Sequence, residues 1–331
     1  MQFLSDNAAR VHPKVWAAMQ AADAPDKPYD NDALSQRLDA AFSGLFARDV
    51  AALWVSSGTA ANSLALTTLV QPHGGVICHR EAHIEMDECG APGFYTHGAK
   101  LLLAEGAGAK LTADAIGAVL GGITRGVHQV PAQAISITQA SEYGLTYAAA
   151  ELGAIGTLAK ERGLGLHMDG ARFANAVASL GCPPAEAAGP VDVLSFGCTK
   201  NGGMDADALV LFDPAQADLV RWRRKRGGHL QSKGRFLAAQ VLALIDGDLW
   251  LDNARAANAA AAEIAAGAKD RLLYPVEANE VFVRLAAPER AALRAQGFQF
   301  YDWDDTTARM VAAWDTPQDH AVALGKAIAG L

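Results

Sequence analysis

The chain has 331 residues, 51% hydrophobic and 19% charged, with a formal net charge of -8. That length exceeds what a single hydrophobic core usually organises, so a large domain with a smaller one is expected. The acidic balance disfavours nucleic acid and anionic membrane surfaces as partners, and no apolar run approaches the roughly 20 residues of a bilayer span.

The opening stretch MQFLSDNAARVHPKVW has no basic region followed by an apolar run, so a secretory signal is not expected and a cytoplasmic location is. Cys78, Cys89, Cys182 and Cys198 form no C-x-x-C pair and read as free, buried thiols. From residue 30 to residue 215, helical stretches alternate with short apolar runs. Leu34, Leu38, Phe42, Leu45 and Phe46 recur at helical spacing, and AALWV follows as a buried strand. Further strands are predicted at GVICH, KLLLA, AISIT, LGLHM, VDVLSF and DALVLF, with helices around 60–70, 112–120, 148–162 and 171–180. This alternation predicts an α/β fold with a mostly parallel sheet covered by helices on both faces. Ligands on such sheets bind beyond the carboxyl ends of the strands.

The basic run RWRRKRGG at 221–228 reads as a solvated helix face or a subunit contact, with a nucleic-acid patch as the alternative. From about residue 233 the pattern changes to an alanine-rich helical region that includes LDNARAANAAAAEIAAGAKD. Then come VFVRL, a helix near 288–296, FQFYDW, ARMVAAW and a final helix. That order predicts a small α+β C-terminal domain over 247–331, beside a large domain over 1–246.

The signatures G-x-G-x-x-G, G-x-x-x-x-G-K-[ST], G-x-S-x-G and H-E-x-x-H are absent, which argues against dinucleotide, P-loop, serine-hydrolase and zincin chemistry. In WVSSGTAANSLAL a strand runs through Ser57, Gly58 and Thr59 straight into a helix, so backbone N–H groups converge into a cup suited to a phosphate. A plain capped helix is the alternative. In LHMDGARFANA an apolar strand delivers Asp169 to its end, with Arg172 just beyond. A buried carboxylate needs a cationic partner, either Arg172 in a structural ion pair or a protonated heterocyclic nitrogen.

In FGCTKNGG, Lys200 follows another strand among small residues, as a Schiff-base lysine would. Cup, carboxylate and lysine together are what pyridoxal 5′-phosphate (PLP) requires. The neighbouring Cys198 has no activating partner in the sequence and is set aside as a nucleophile. In CHREAHIEMDECG the H-x-E-x-H order has no matching ligand set elsewhere, so no metal is expected. His83 there reads as a ring-stacking residue and general acid/base, or as an ordinary partly exposed histidine. Arg309 in TTARMVAAWDT offers a fork for a substrate carboxylate, or a surface salt bridge.

The segments FLSDNAARVHP, SSGTAANSLAL, AHIEMDECGAP, LHMDGARFANA, SFGCTKNGG and ARMVAAWDT resemble low-specificity L-threonine aldolases over nearly the whole chain. The resemblance implies the aspartate-aminotransferase-like fold (fold type I), with Lys200 as the PLP lysine, Asp169 at the pyridine nitrogen and His83 on the ring. It implies phosphate binding by Ser57, Gly58 and Thr59, with Arg172 serving both cofactor and substrate. Ser5, Arg172 and Arg309 would hold the substrate carboxylate.

The family is usually a homotetramer with shared sites, and Tyr29 in PYDND matches the place of a tyrosine from the neighbouring chain. Two family features differ: TQASEYG replaces a histidine-bearing segment, so Glu142 or a water takes that role, and Leu230 stands where an arginine is found. Lys233 or Arg235 is expected to supply the phosphate's counter-charge, across a subunit boundary. The implied reaction is reversible cleavage of an L-β-hydroxy-α-amino acid to glycine and an aldehyde. A β-eliminating lyase, racemase or transaminase is the alternative, and a catalytically silent binding protein a third.

Overall fold

In the computed structural model, which describes Met1 to Leu331, the first seven apolar runs pair into one sheet. They are β1 (Ala51–Val55), β2 (Gly75–His79), β3 (Lys100–Ala104), β4 (Ala132–Thr138), β5 (Gly165–Gly170), β6 (Val193–Phe196) and β7 (Asp207–Leu211), in the order β1-β7-β6-β5-β4-β2-β3. All run the same way except β7, which is antiparallel to both β6 and β1. β1, β2 and β7 are buried at every residue because helices cover both faces, and they therefore read as unbroken apolar runs. Edge strand β3 is only partly buried.

The reversal at β7 shapes the centre of the sheet. Because β6 and β7 are antiparallel neighbours, a loop over 197–206 is all that joins them, and that loop carries Lys200. No crossover helix stands between the lysine and the strand end. Below it, Phe196 meets Phe42 edge-on at 5.2 Å and Trp250 at 5.4 Å, so the loop is founded on packed aromatics.

A second sheet holds β8 (Glu280–Arg284), β9 (Tyr301–Asp302) and β10 (Thr307–Val311), with β10 central and all pairs antiparallel. The alanine-rich helix Leu249–Ala268 joins the two parts: Trp250 lies in the large core, Ile264 and Ala268 in the small one. The expected division at 246/247 falls just before this shared helix. The first residues cross over as well, since Phe3 donates to Gln299 O (2.8 Å), accepts from Val311 N (2.9 Å) and packs in the small core.

The basic run is not a simple solvated face. In the helix Ala217–Arg226, Arg224 is fully buried, donates to Trp54 O, pairs with Asp30 and lies 4.5 Å from the Trp54 ring centroid. Arg223 donates to Thr67 O (2.9 Å) at the end of the helix Gly58–Leu66, so one cation holds this helix to the sheet and another to a neighbouring helix. The cysteines also differ from a uniformly buried set: Cys78 and Cys198 are buried, Cys182 is half-buried, and Cys89 is exposed in a left-handed turn with Gly90. No helix is long and apolar enough to cross a membrane.

The helix Leu249–Ala268 and the final helix Gln318–Ala329 approach so closely that a Cβ on Gly267 would lie 2.0 Å from Gly325 O. Backbone cannot yield as a side-chain tip can, so Gly267→Ala is expected to cost about 1–3 kcal/mol. Thermal melting should show a lowered midpoint. Gly117→Ala, in a helix with nothing within 4 Å of the new Cβ, should be neutral or slightly stabilising.

Candidate active site

The carboxyl ends of β1, β4, β5 and β6 open onto one cavity of about 440 Å³. At the end of β1, Ser57 caps the helix Gly58–Leu66, its Oγ accepting from Ala60 N at 3.2 Å. The first N–H groups of a helix have no partner within it, and Gly58 and Thr59, which carry two of them, line the cavity. Thr199 faces the same cavity with a buried hydroxyl that has no partner. Together they form a cradle of donors without a ligand of their own, as a phosphate needs.

Asp169 stands at the end of β5, buried. Burial alone would raise its carboxyl, but His83, the Ala171 N–H and Lys200 outweigh that and hold it below the usual carboxylate range. Its direct partners are Asn62 Nδ2 at 2.7 Å and Ala171 N at 2.9 Å. Arg172 is not its ion-pair partner.

Asn62 Nδ2 donates also to Glu88 Oε1 (2.8 Å), which in turn meets His83 Nδ1 at 2.9 Å. The Glu88 hydrogen bond raises the imidazole's pKa, and burial raises that of Glu88. Ligand atoms of His83, Glu88 and Asp169 lie within 4.8 Å of one another, but the Asn62 amide donates to both carboxylates where a cation would have to sit.

Lys200 lies in the one-turn helix Thr199–Asn201 after β6, half-buried against the cavity. Burial lowers its pKa and the nearby Arg172 adds to that, while Asp6, Asp169 and Glu280 offset part of the effect. An amine biased toward its neutral form is a competent nucleophile. Its loop depends on two glycines. Gly202 has φ 100°, and a Cβ on Gly197 would lie 2.4 Å from Ala171 O. Gly197 N also donates to Gly170 O at 3.0 Å, fastening the lysine loop to the aspartate loop. The Cys198 thiol is buried and pushed well above its ordinary pKa, consistent with an inert structural role.

Arg172 lines the cavity and is held from behind: Nε and Nη2 donate to Asp6 (2.8 and 3.0 Å), and Nη1 faces Glu280 at 3.2 Å. Glu280 also accepts from Arg309 (3.0 and 2.9 Å), so the two arginines are bracketed by two buried carboxylates. Arg309 and Ser5 do not themselves line the cavity; Ser5 Oγ accepts from Asn7 N, and Asn7 does line it. Tyr29 and Lys233 lie outside it too, joined to each other by a β-bridge. Arg235 donates to Ala22 O (2.9 Å), and Leu230 packs against the large core.

Asn62, Asp6, Glu280 and Thr199 were not singled out by the sequence reading. Asn62, a polar residue in an otherwise small, apolar helix, and Glu280, a carboxylate heading the apolar strand EVFVR, each carried a local signal. Asp6 carried none that pointed to Arg172.

The donor cradle, the ionised carboxylate and the lysine face one another across a space that suits PLP with an amino acid. A family model described as beta-eliminating lyase matches residues 2–288. A low specificity L-threonine aldolase of a Pseudomonas species is 42% identical over 326 residues, covering 96% of this chain and 94% of that protein. The threonine aldolase of Leishmania major superposes with a TM-score of 0.93 at 28% identity, over 99% of this chain and 98% of that one. An aspartate aminotransferase from Rhodobacter sphaeroides, 16% identical, shares the fold with a TM-score of 0.73 over 100% of this chain and 92% of its own. The architecture is that of fold type I. The chain belongs to the beta-eliminating lyase family, in its branch of low-specificity L-threonine aldolases.

Proposed function

We propose that the chain is a PLP-dependent carbon–carbon lyase that cleaves L-threonine, L-allo-threonine and related L-β-hydroxy-α-amino acids reversibly to glycine and an aldehyde. The observation that carries this reading is the meeting of an ionised Asp169, a Lys200 amine biased toward neutrality and an unfilled donor cradle in one cavity. Bound PLP supplies an electron sink for the pair released at Cα.

Ser57, Gly58, Thr59 and the unpartnered Thr199 hydroxyl hold its phosphate. Asp169 holds a proton on the ring nitrogen, and its own charge is secured by Asn62 and Ala171 N. Lys200, whose amine burial biases toward its neutral form, is the residue that would hold the cofactor's aldehyde carbon. His83, fixed by Glu88, would stack on the ring. Arg172 receives the substrate carboxylate, with Arg309 and Ser5 behind it.

Tyr29 and Lys233 have no access to their own chain's cavity, and Lys233 is exposed. That favours a homotetramer with shared sites, in which both serve a neighbouring copy, Lys233 at the phosphate. Residues 1–246 form the cofactor-binding part and 247–331 the small part, in a cytoplasmic enzyme.

Purified protein supplied with PLP and L-threonine is expected to release equimolar glycine and acetaldehyde. A keto acid formed instead, with no aldehyde from threonine, allo-threonine or phenylserine, would establish β-elimination or transamination in its place. Lys200→Ala is expected to remove both turnover and the visible absorption band of lysine-bound PLP. An unchanged spectrum would contradict the lysine's role. Arg172→Lys keeps the charge but loses the fork, so KM for L-threonine should rise about tenfold or more, with a smaller change in kcat. Steady-state kinetics on variant that still binds PLP decides this; an unchanged KM would move the carboxylate elsewhere.

A further inference from the structure

Glu142, on the loop after β4, lines the cavity and is engaged on one side only. Its Oε1 accepts from Thr138 Oγ1 (2.7 Å) and from the backbone N–H of His83 (3.0 Å). Its Oε2 is buried and has no partner. Two donors thus fix the carboxyl through Oε1, while Oε2 is shut off from solvent and has no donor of its own.

His83 is the obvious competitor for that work. Its Nδ1 is occupied by Glu88, and that bond favours the protonated ring. With Nδ1 held by Glu88, the ring is fixed in orientation and offers only Nε2 to a ligand. We propose that Glu142 is the catalytic base that takes the proton from the substrate's β-hydroxyl, and, as its conjugate acid, returns it in the synthetic direction. The assignment rests on the cleavage reaction proposed above.

The β-hydroxyl O–H breaks, its proton passes to the Glu142 carboxylate, and the released pair forms the aldehyde C=O as the Cα–Cβ bond breaks. The pair from that bond remains on Cα, for which bound PLP would supply the electron sink, until Cα takes a proton from water. Glu142 returns its own proton to water, so nothing is oxidised or reduced.

The charge surroundings suit such a group. Burial pushes the Glu142 carboxyl up to about 7; the Thr138 and His83 donors offset part of this, and the negative charge of Asp169 on β5 adds to it. The other ionisable groups around it are Cys78 on β2, pushed up to about 12, and Tyr147, pushed higher still, so both stay neutral. Lys200 and the His83 ring complete the cavity wall.

The test compares the holoenzyme with Glu142→Gln in two reactions. One is acetaldehyde release from L-threonine, and the other is exchange of the glycine Cα proton in deuterated water, which involves no β-hydroxyl. Cleavage is expected to fall by about 100-fold or more while exchange changes by less than about threefold. The wild-type kcat/KM should climb as pH rises through about 7, where Glu142 ionises, and this limb should vanish in the variant.

In protein without PLP, the carboxyl infrared band that differs between wild type and variant should be protonated at low pH and lost near neutrality. Three results would overturn the assignment: cleavage by the variant at close to the wild-type rate, an equal fall in both reactions, or an infrared band already ionised in mildly acid solution. If the wild type itself exchanges glycine but releases no aldehyde, the cleavage reading fails and the base assignment falls with it.

Discussion

A carboxylate that stays ionised while buried is the constraint around which this site is arranged. Taking Asp169 out of water raises the energy of its charged form, and only donors and cations in fixed positions can offset that. The chain supplies them from separate elements: Asn62 from the helix after β1, Ala171 N from its own loop and Lys200 from the loop after β6. Below it, His167 on the same strand face lies between Ser136 Oγ (2.9 Å) and Ser195 Oγ (3.2 Å), tying β4, β5 and β6 together. Burial lowers the His167 pKa to about 4, and the nearby Asp169 charge offsets part of that.

A second charged group couples this cavity to the small sheet. Asp6 comes from the N-terminal segment, Glu280 from β8 and Arg309 from β10, and they meet Arg172 from the large part. Two carboxylates face two guanidinium groups, so the set is balanced before any substrate arrives.

Much of this arrangement was legible in the sequence. The strands announced themselves because burial on both faces demands unbroken apolar runs, and the points where they end gave Ser57–Thr59, Asp169 and Lys200. What stayed hidden depends on distant partners. Arg172 sits three residues from Asp169 yet pairs with Asp6, 166 positions away. Arg224 looked like part of a solvated basic face, but the Trp54 ring and Asp30 draw it into the core. Phe3 joins a sheet formed by the last third of the chain, a pairing for which no local periodicity exists. Spacing along the chain reports which face a side chain occupies, not which distant group it will meet.

The charge on Asp169 can be observed directly. PLP labelled with ¹⁵N at the ring nitrogen and bound to the wild-type protein would report by NMR whether that nitrogen carries a proton. The expected result is the shift of a protonated pyridinium at neutral pH, lost in Asp169→Asn. A neutral pyridine nitrogen in the wild-type enzyme would contradict the account at its centre.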